Sequence, residues 1–371
     1  MSDDARDDRF VSIDRGERPA GEGGRHPGGA GQGRRPPLRT ASKNDINGWL
    51  ILDKPEGLTS TEALGAVKRV LRPAKAGHAG TLDPLATGVL PIALGEATKT
   101  VPFVVDGRKV YRFTLRWGER TDTDDAEGEV VAVSRVRPTR AEISAVLPDF
   151  TGAIMQVPPR YSAVKVKGER AYDLARDGQT VTLEARPVEV HRLDLIDMPD
   201  ADHLVLEAEC GKGTYVRSLA RDLGERLGTE AHVTALRRTA VGPFDEDDAF
   251  EIAELEEARA VSLDAVLDLA LYPVKEALCD LPSVDIERPQ ASRLRRGQSV
   301  FLRPLQAPPA GPAPLVSAVC AGDLVALCTI EGGELQPTRV FKPARRPSRA
   351  EPAPAAAATP AGAGGGRLPG E

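Results

Sequence analysis

Apolar residues are spread along this chain in three regimes. Residues 1 to 44 are rich in Gly, Arg, Asp and Pro and nearly devoid of large apolar groups, and residues 344 to 371 are a low-complexity run of Ala, Pro and Gly. Neither end can bury enough surface to offset the entropy of ordering, so both are expected to be disordered tails. The patterned part lies between them. Trp49-Leu50-Ile51-Leu52 reads as a buried strand ended by the turn Asp53-Lys54-Pro55-Glu56-Gly57. Lys54 in that turn is either a phosphate contact or an exposed turn lysine. Thr59 or Ser60 then caps a helix with Leu64, Val67, Val70 and Leu71 on one face. Residues 101 to 117 alternate as a strand does, with Tyr111, Phe113 and Leu115 on one side and Arg112, Thr114 and Arg116 on the other.

Further along, the pattern predicts a short helix at 140 to 147, paired strands at 187 to 197 and 203 to 210, and an amphipathic helix at 214 to 227. Residues 248 to 271 read as one acidic, alanine-rich helical stretch. Short apolar runs from 281 to 342 (Val300-Phe301-Leu302, Leu315-Val316, Leu324-Val325-Ala326-Leu327), broken by a Pro-rich loop at 307 to 314, suggest a small β barrel.

One stretch resists a regular reading. Residues 77 to 99 run Gly-His-Ala-Gly-Thr-Leu-Asp-Pro-Leu-Ala-Thr-Gly-Val-Leu-Pro-Ile-Ala-Leu-Gly-Glu-Ala-Thr-Lys, with a single carboxylate, Asp83, between Gly77 and Gly95. Such a backbone presents one side chain. Asp83 before Pro84 could cap a helix over 85 to 90. A metal role lacks ligands, since His78 is the only nearby partner of the right type. A lone nucleophile or general base is the third option, and it needs a cation to keep the carboxylate ionised in an apolar pocket.

Composition narrows the class. The formal net charge of the 371 residues is -6, no run of apolar residues is long enough to span a membrane, and no secretory signal opens the chain. Cys210, Cys279, Cys320 and Cys328 are too sparse for a disulfide framework. A cytoplasmic protein is expected. Acidity overall disfavours nucleic acid, yet residues 157 to 176 carry Arg160, Lys165, Lys167, Arg170 and Arg176 against only Glu169 and Asp173. Thr121-Asp122-Thr123-Asp124-Asp125-Ala126-Glu127-Gly128 fails the calcium-loop pattern, because counted from Asp122 the fifth position is Ala126 and the sixth, where Gly is needed, is Glu127; it is read as an acidic turn between strands. No P-loop or dinucleotide fingerprint occurs, so no cofactor and no metal are expected.

The stretch from 77 to 99 resembles the signature of the bacterial tRNA pseudouridine-55 synthase family. The resemblance extends to Leu52-Asp53-Lys54-Pro55-Glu56-Gly57, Lys109-Val110-Tyr111-Arg112, Gln156-Val157-Pro158-Pro159-Arg160-Tyr161-Ser162-Ala163-Val164-Lys165 and Gly211-Lys212-Gly213-Thr214-Tyr215-Val216-Arg217. It implies a mixed α/β fold: a catalytic domain at 45 to 272 with a largely antiparallel central sheet flanked by helices, and a PUA-like RNA-binding β barrel at 273 to 343. It implies isomerisation of the T-loop uridine of tRNA, with Asp83 as the essential carboxylate, Arg217 as its partner and Tyr111 against the base. Tyr215 would border the base, His78 would meet the opened nucleotide chain, and Leu236 would contact the target nucleotide through its backbone. Arg160, Lys165, Lys167 and Arg170 would grip the stem-loop, with Arg293, Arg295 and Arg296 as further phosphate contacts, and the protein would act as a monomer. Two other classes remain open: a tRNA-binding folding chaperone without essential catalysis, and a hydrolase using Asp83 with His78.

Overall fold

The computed structural model describes residues 43–162, 164–166, 169–170, 182–303 and 315–343. Residues 1–42 of the expected N-terminal tail, the C-terminal tail at 344–371, the Pro-rich loop, Lys167 and Arg176 lie outside them. Strand β1 (Gly48–Lys54) is the apolar run of the sequence, buried along its whole length but for Asp53. It is followed by a helix (Ser60–Leu71) whose buried face includes Leu64, Val67, Val70 and Leu71, as its spacing predicts. Thr59 closes the helix start: its side chain accepts from the Glu62 amide while the Glu62 carboxylate accepts from the Thr59 amide.

Next come β2 (Ala76–His78), β3 (Thr87–Leu94), β4 (Lys109–Trp117), β5 (Glu119–Thr121), β6 (Val130–Val133) and β7 (Gly152–Gln156). A two-residue hairpin, β8 (Lys165–Val166) with β9 (Glu169–Arg170), precedes the long pair β10 (Arg186–Asp197) and β11 (His203–Cys210). The helix Val216–Arg226 then leads into β12 (Ala231–Val241), β13 (Phe244–Asp245) and, after two more helices, β14 (Leu271–Tyr272). Ten of these strands form one sheet in the order β14-β1-β3-β12-β4-β11-β10-β7, with β2 on β3 and β13 on β12. All its pairings are antiparallel except β3 with β12. At that exception the two backbones come very close: a Cβ on Gly88 would lie 2.2 Å from the Arg238 carbonyl oxygen, so only glycine fits.

Three sequence expectations need correction. Residues 85 to 90 are not helical: β3 opens at Thr87, and Asp83 sits in a turn where its carbonyl accepts from the Ala86 amide. The strand predicted from residue 101 starts at Lys109, because Val101–Asp106 is a short helix with Pro in its first turn. The helical stretch at 248 to 271 is two helices, Ile252–Val261 and Leu263–Ala270, divided at Ser262, whose side chain caps the second.

The C-terminal unit is a five-stranded sheet of β15 (Ser283–Asp285), β16 (Val300–Phe301), β17 (Val316–Cys320), β18 (Asp323–Glu331) and β19 (Glu334–Val340), ordered β15-β17-β18-β19-β16. It has its own core, yet its Leu324, Leu327 and Phe341 are buried in a cluster with Val101, Val104 and Val274. Polar contacts reinforce the junction: Lys99 Nζ donates to the Val340 carbonyl (2.8 Å) and Glu96 accepts from the Lys342 amide (2.9 Å).

Candidate active site

Asp83 owes its place to the start of the first helix. Ser60 Oγ donates to the Leu82 carbonyl and accepts from the Leu82 amide (3.0 and 2.8 Å), locking the residue before Asp83. Lys54 locks the residue after it. Far from being an exposed turn lysine or a phosphate contact, Lys54 is fully buried and donates to the carbonyls of Pro55, Leu58 and Pro84. Burial lowers its pKa, against which the Asp83 charge pulls upward.

Facing this loop, the helix Val216–Arg226 projects Arg217 from its first turn. Arg217 Nη2 lies 2.8 Å from Asp83 Oδ2, with the arginine side chain 7 % and the aspartate side chain 39 % exposed. The acidic turn supplies a second carboxylate, Asp125 Oδ2, at 3.3 Å. Two carbonyls, Thr123 (3.0 Å) and Tyr161 (2.9 Å), complete the guanidinium's shell. Asp83 is thus open on one side and crowded on the others. Loss of solvent raises its pKa above the ordinary carboxylate value, Arg217 opposes that rise and Asp125 adds to it. The arginine expected beside Asp83 is there, but it is shared with Asp125 and does not cancel the cost of enclosure.

Tyr111 lies on β4 in register with Arg238 of β12, at the sheet's centre. Burial raises the phenol's pKa, so it is protonated at neutral pH, while Arg238 pulls it back. Arg238 is itself 1 % exposed and donates to the Val89 (2.9 Å) and Gly80 (3.1 Å) carbonyls. His78 is buried with an unpartnered Nδ1, and burial together with the charges of Arg238 and Lys68 depresses its pKa to about 4, leaving it neutral at physiological pH. Tyr215 is the residue before the Arg217 helix. The Gln156 side chain fixes it by donating to its carbonyl (3.1 Å) and accepting from its amide (2.8 Å). Leu236 is buried on β12, and its carbonyl lies 3.5 Å from Thr87 Oγ1.

Arg217 contacts Asp83 directly, Tyr111 and His78 both feel the charge of Arg238, Tyr215 stands two residues before Arg217, and Leu236 two residues before Arg238 on β12. Arg160 is exposed on the segment after β7, and Lys165 and Arg170 pair through their backbones in the small hairpin. Sequence reasoning missed Lys54, Ser60, Asp125, Gln156 and Arg238. Lys54 and Ser60 stood in the sequence as a turn lysine and a possible cap, Gln156 in a matching block and Asp125 as an acid in a turn, but none pointed to the contact it makes here.

Residues 68–216 match the TruB family pseudouridylate synthase (N terminal domain), and residues 217–279 match the tRNA pseudouridylate synthase B C-terminal domain. The tRNA pseudouridine synthase B of Bradyrhizobium diazoefficiens is 58% identical over 301 residues, 81% of this chain and 87% of that protein. That of Rhodopseudomonas palustris is 56% identical over 316 residues, 85% and 84% of the two chains. A chain of a solved Cbf5-Nop10-Gar1 complex superposes with a TM-score of 0.63 at 26% identity, covering 82% of this chain and 92% of that one. A chain of an H/ACA RNP bound to a substrate RNA containing 2'-deoxyuridine gives 0.62 at 24% identity, with 82% and 93% covered, and shares the fold. The chain belongs to the TruB family of pseudouridylate synthases.

Proposed function

We propose that this chain converts uridine 55 in the T loop of tRNA to pseudouridine, without a cofactor, using Asp83 as the essential carboxylate. The observation that carries the reading is the 2.8 Å contact of Arg217 with a half-exposed Asp83 on a loop fixed from both sides by Ser60 and Lys54. In the reaction the bond from ribose C1' to N1 breaks, the uracil turns, C1' bonds to C5, and the proton on C5 leaves for N1 or solvent. The composition does not change. An ionised Asp83 serves this either by adding to the base or by taking a ribose proton, and Arg217 holds the oxygen in place for both.

Tyr111 packs on the uracil and, being protonated, relays the C5 proton by passing its own hydroxyl proton on to solvent or N1 as it takes the one from C5. Tyr215 borders the base, neutral His78 meets the displaced nucleotide chain, and the Leu236 backbone holds the target. Arg160, Lys165, Lys167 and Arg170 contact phosphates of the stem-loop and position it without reading sequence. The uridine must leave its loop to reach Asp83, at a cost of a few kcal/mol that an irregular loop reduces. Residues 45 to 272 form the catalytic domain and 273 to 343 a PUA-like RNA-binding module, in a monomeric, cytoplasmic enzyme.

The test is to treat a tRNA transcript with the protein and map pseudouridine by carbodiimide-dependent primer extension. A single stop at position 55, lost when that uridine is replaced by cytidine, is expected. Modification elsewhere would reject the substrate assignment, and tRNA binding with no modification at all would favour the chaperone reading.

A further inference from the structure

We infer that Arg221, held by Asp124, is a positioning residue for the isomerisation: it fixes the two backbone segments that in turn fix Arg217 beside Asp83. The inference rests on the reading of Asp83 and Arg217 as the working pair. Arg217 and Arg221 lie one turn apart on the helix Val216–Arg226 and so share a face. Both close over the same two segments. On the acidic turn, Arg217 takes the Thr123 carbonyl (3.0 Å) and the Asp125 carboxylate (3.3 Å), while Arg221 takes the Asp124 carboxylate between them (3.1 Å). On the segment after β7, Arg221 Nη2 donates to the Val157 carbonyl (2.8 Å), and Arg217 to the Tyr161 carbonyl (2.9 Å). Ser218, between the two arginines, donates to that same Val157 carbonyl (2.7 Å).

Two further facts separate this from an ordinary surface ion pair. The Arg221 and Asp124 side chains are only 14 % and 10 % exposed, so the pair is largely removed from solvent screening. Asp124 also has a φ of 61°, a left-handed conformation that a non-glycine residue holds only when its surroundings impose it. That turn conformation sets the direction in which the next residue, Asp125, faces Arg217. Asp222 also contacts Arg221 (2.8 Å), and the Asp124 carbonyl accepts from the Val233 amide (3.1 Å), tying the turn to β12. Arg221 thus couples the turn to the very segment that runs into the RNA-gripping residues.

The experiment compares single-turnover rates on tRNA, tRNA affinity and pH profiles for the full-length wild type, Arg221→Met, Arg221→Lys, Asp124→Asn and the double variant. A misplaced Arg217 leaves Asp83 less well compensated. Arg221→Met and Asp124→Asn are therefore expected to slow the bound-state step about 10- to 100-fold, to move its acid limb to higher pH, and to leave tRNA affinity within about twofold. The double variant should be no slower than the worse single one, and Arg221→Lys should recover part of the rate. Should Arg221→Met fail to fold, Arg221→Lys and Asp124→Asn carry the same comparison. Equal rates and acid limbs in the folded variants, or a loss confined to tRNA affinity, would overturn the role. An inactive wild type would instead overturn the reading of the reaction.

Discussion

At the scale of residues, the site turns on one carboxylate whose surroundings pull it in opposite directions. Enclosure raises the pKa of Asp83, and Arg217 lowers it but is shared with Asp125. In the proposed reaction only the ionised form works, so activity should be lost as pH falls through that raised pKa. The acid limb of the single-turnover rate should accordingly lie above the ordinary carboxylate range of about 4, and a limb at or below it would show that Arg217 dominates. Asp125→Asn removes the competing carboxylate from Arg217. Its pH profile should shift the acid limb downward, while the rate at neutral pH falls because Arg217 loses an anchor; an unchanged limb would remove Asp125 from the account. How far these roles could be read from sequence depends on distance along the chain. Asp83, Tyr111 and Arg217 sit inside dense local motifs. Lys54, Gln156 and Arg238 act through carbonyls or amides 30 to more than 100 residues away, and no local pattern of residues encodes such pairings.

Elements show the same division. The first helix was legible in its face, and its cap was narrowed to Thr59 or Ser60, because the capping box and apolar spacing are local; Thr59 is the cap. The strand β3 was not: Pro84 after an aspartate is a fair helix start, and it is the antiparallel pairing with β1 and the tight parallel contact with β12, both made with distant parts of the chain, that decide for a strand. Gly88 is where that pairing is made. Its φ of 96° costs a non-glycine residue about 1 to 3 kcal/mol, and an added Cβ would meet the Arg238 backbone at 2.2 Å and the Arg237 side chain at 3.1 Å. Gly88→Ala should therefore lower thermal stability and, because Arg238 is displaced beside Tyr111, slow the reaction as well. A variant with unchanged melting temperature and rate would contradict the close approach. Ser262 illustrates a quieter failure, since a serine inside an alanine-rich stretch reads as tolerated until its side chain is seen capping the second helix.

The whole molecule joins two sheets through a shared apolar cluster and the Glu96 and Lys99 contacts, with Lys99 Nζ also 5.4 Å from the centre of the Phe341 ring. Removing the C-terminal sheet would expose Val101, Val104 and Val274, so its part in RNA binding is better probed by charge reversal at exposed Arg293, Arg295 and Arg296. If these meet phosphates, the triple variant should bind tRNA more weakly, with the slope of log affinity against log salt reduced by about 2 to 3 and the bound-state rate unchanged. An unaltered slope would take the C-terminal unit out of the RNA interface. The proposed isomerisation requires Asp83 to be the group that reacts. The most direct measurement is tritium release from tRNA carrying [5-³H]uridine, by the wild type and by Asp83→Asn. Asparagine keeps the shape and removes a charge that the site does not favour, so the variant should fold and bind tRNA normally. Release by the wild type with none by Asp83→Asn is the predicted result, and release by both at similar rates would contradict it.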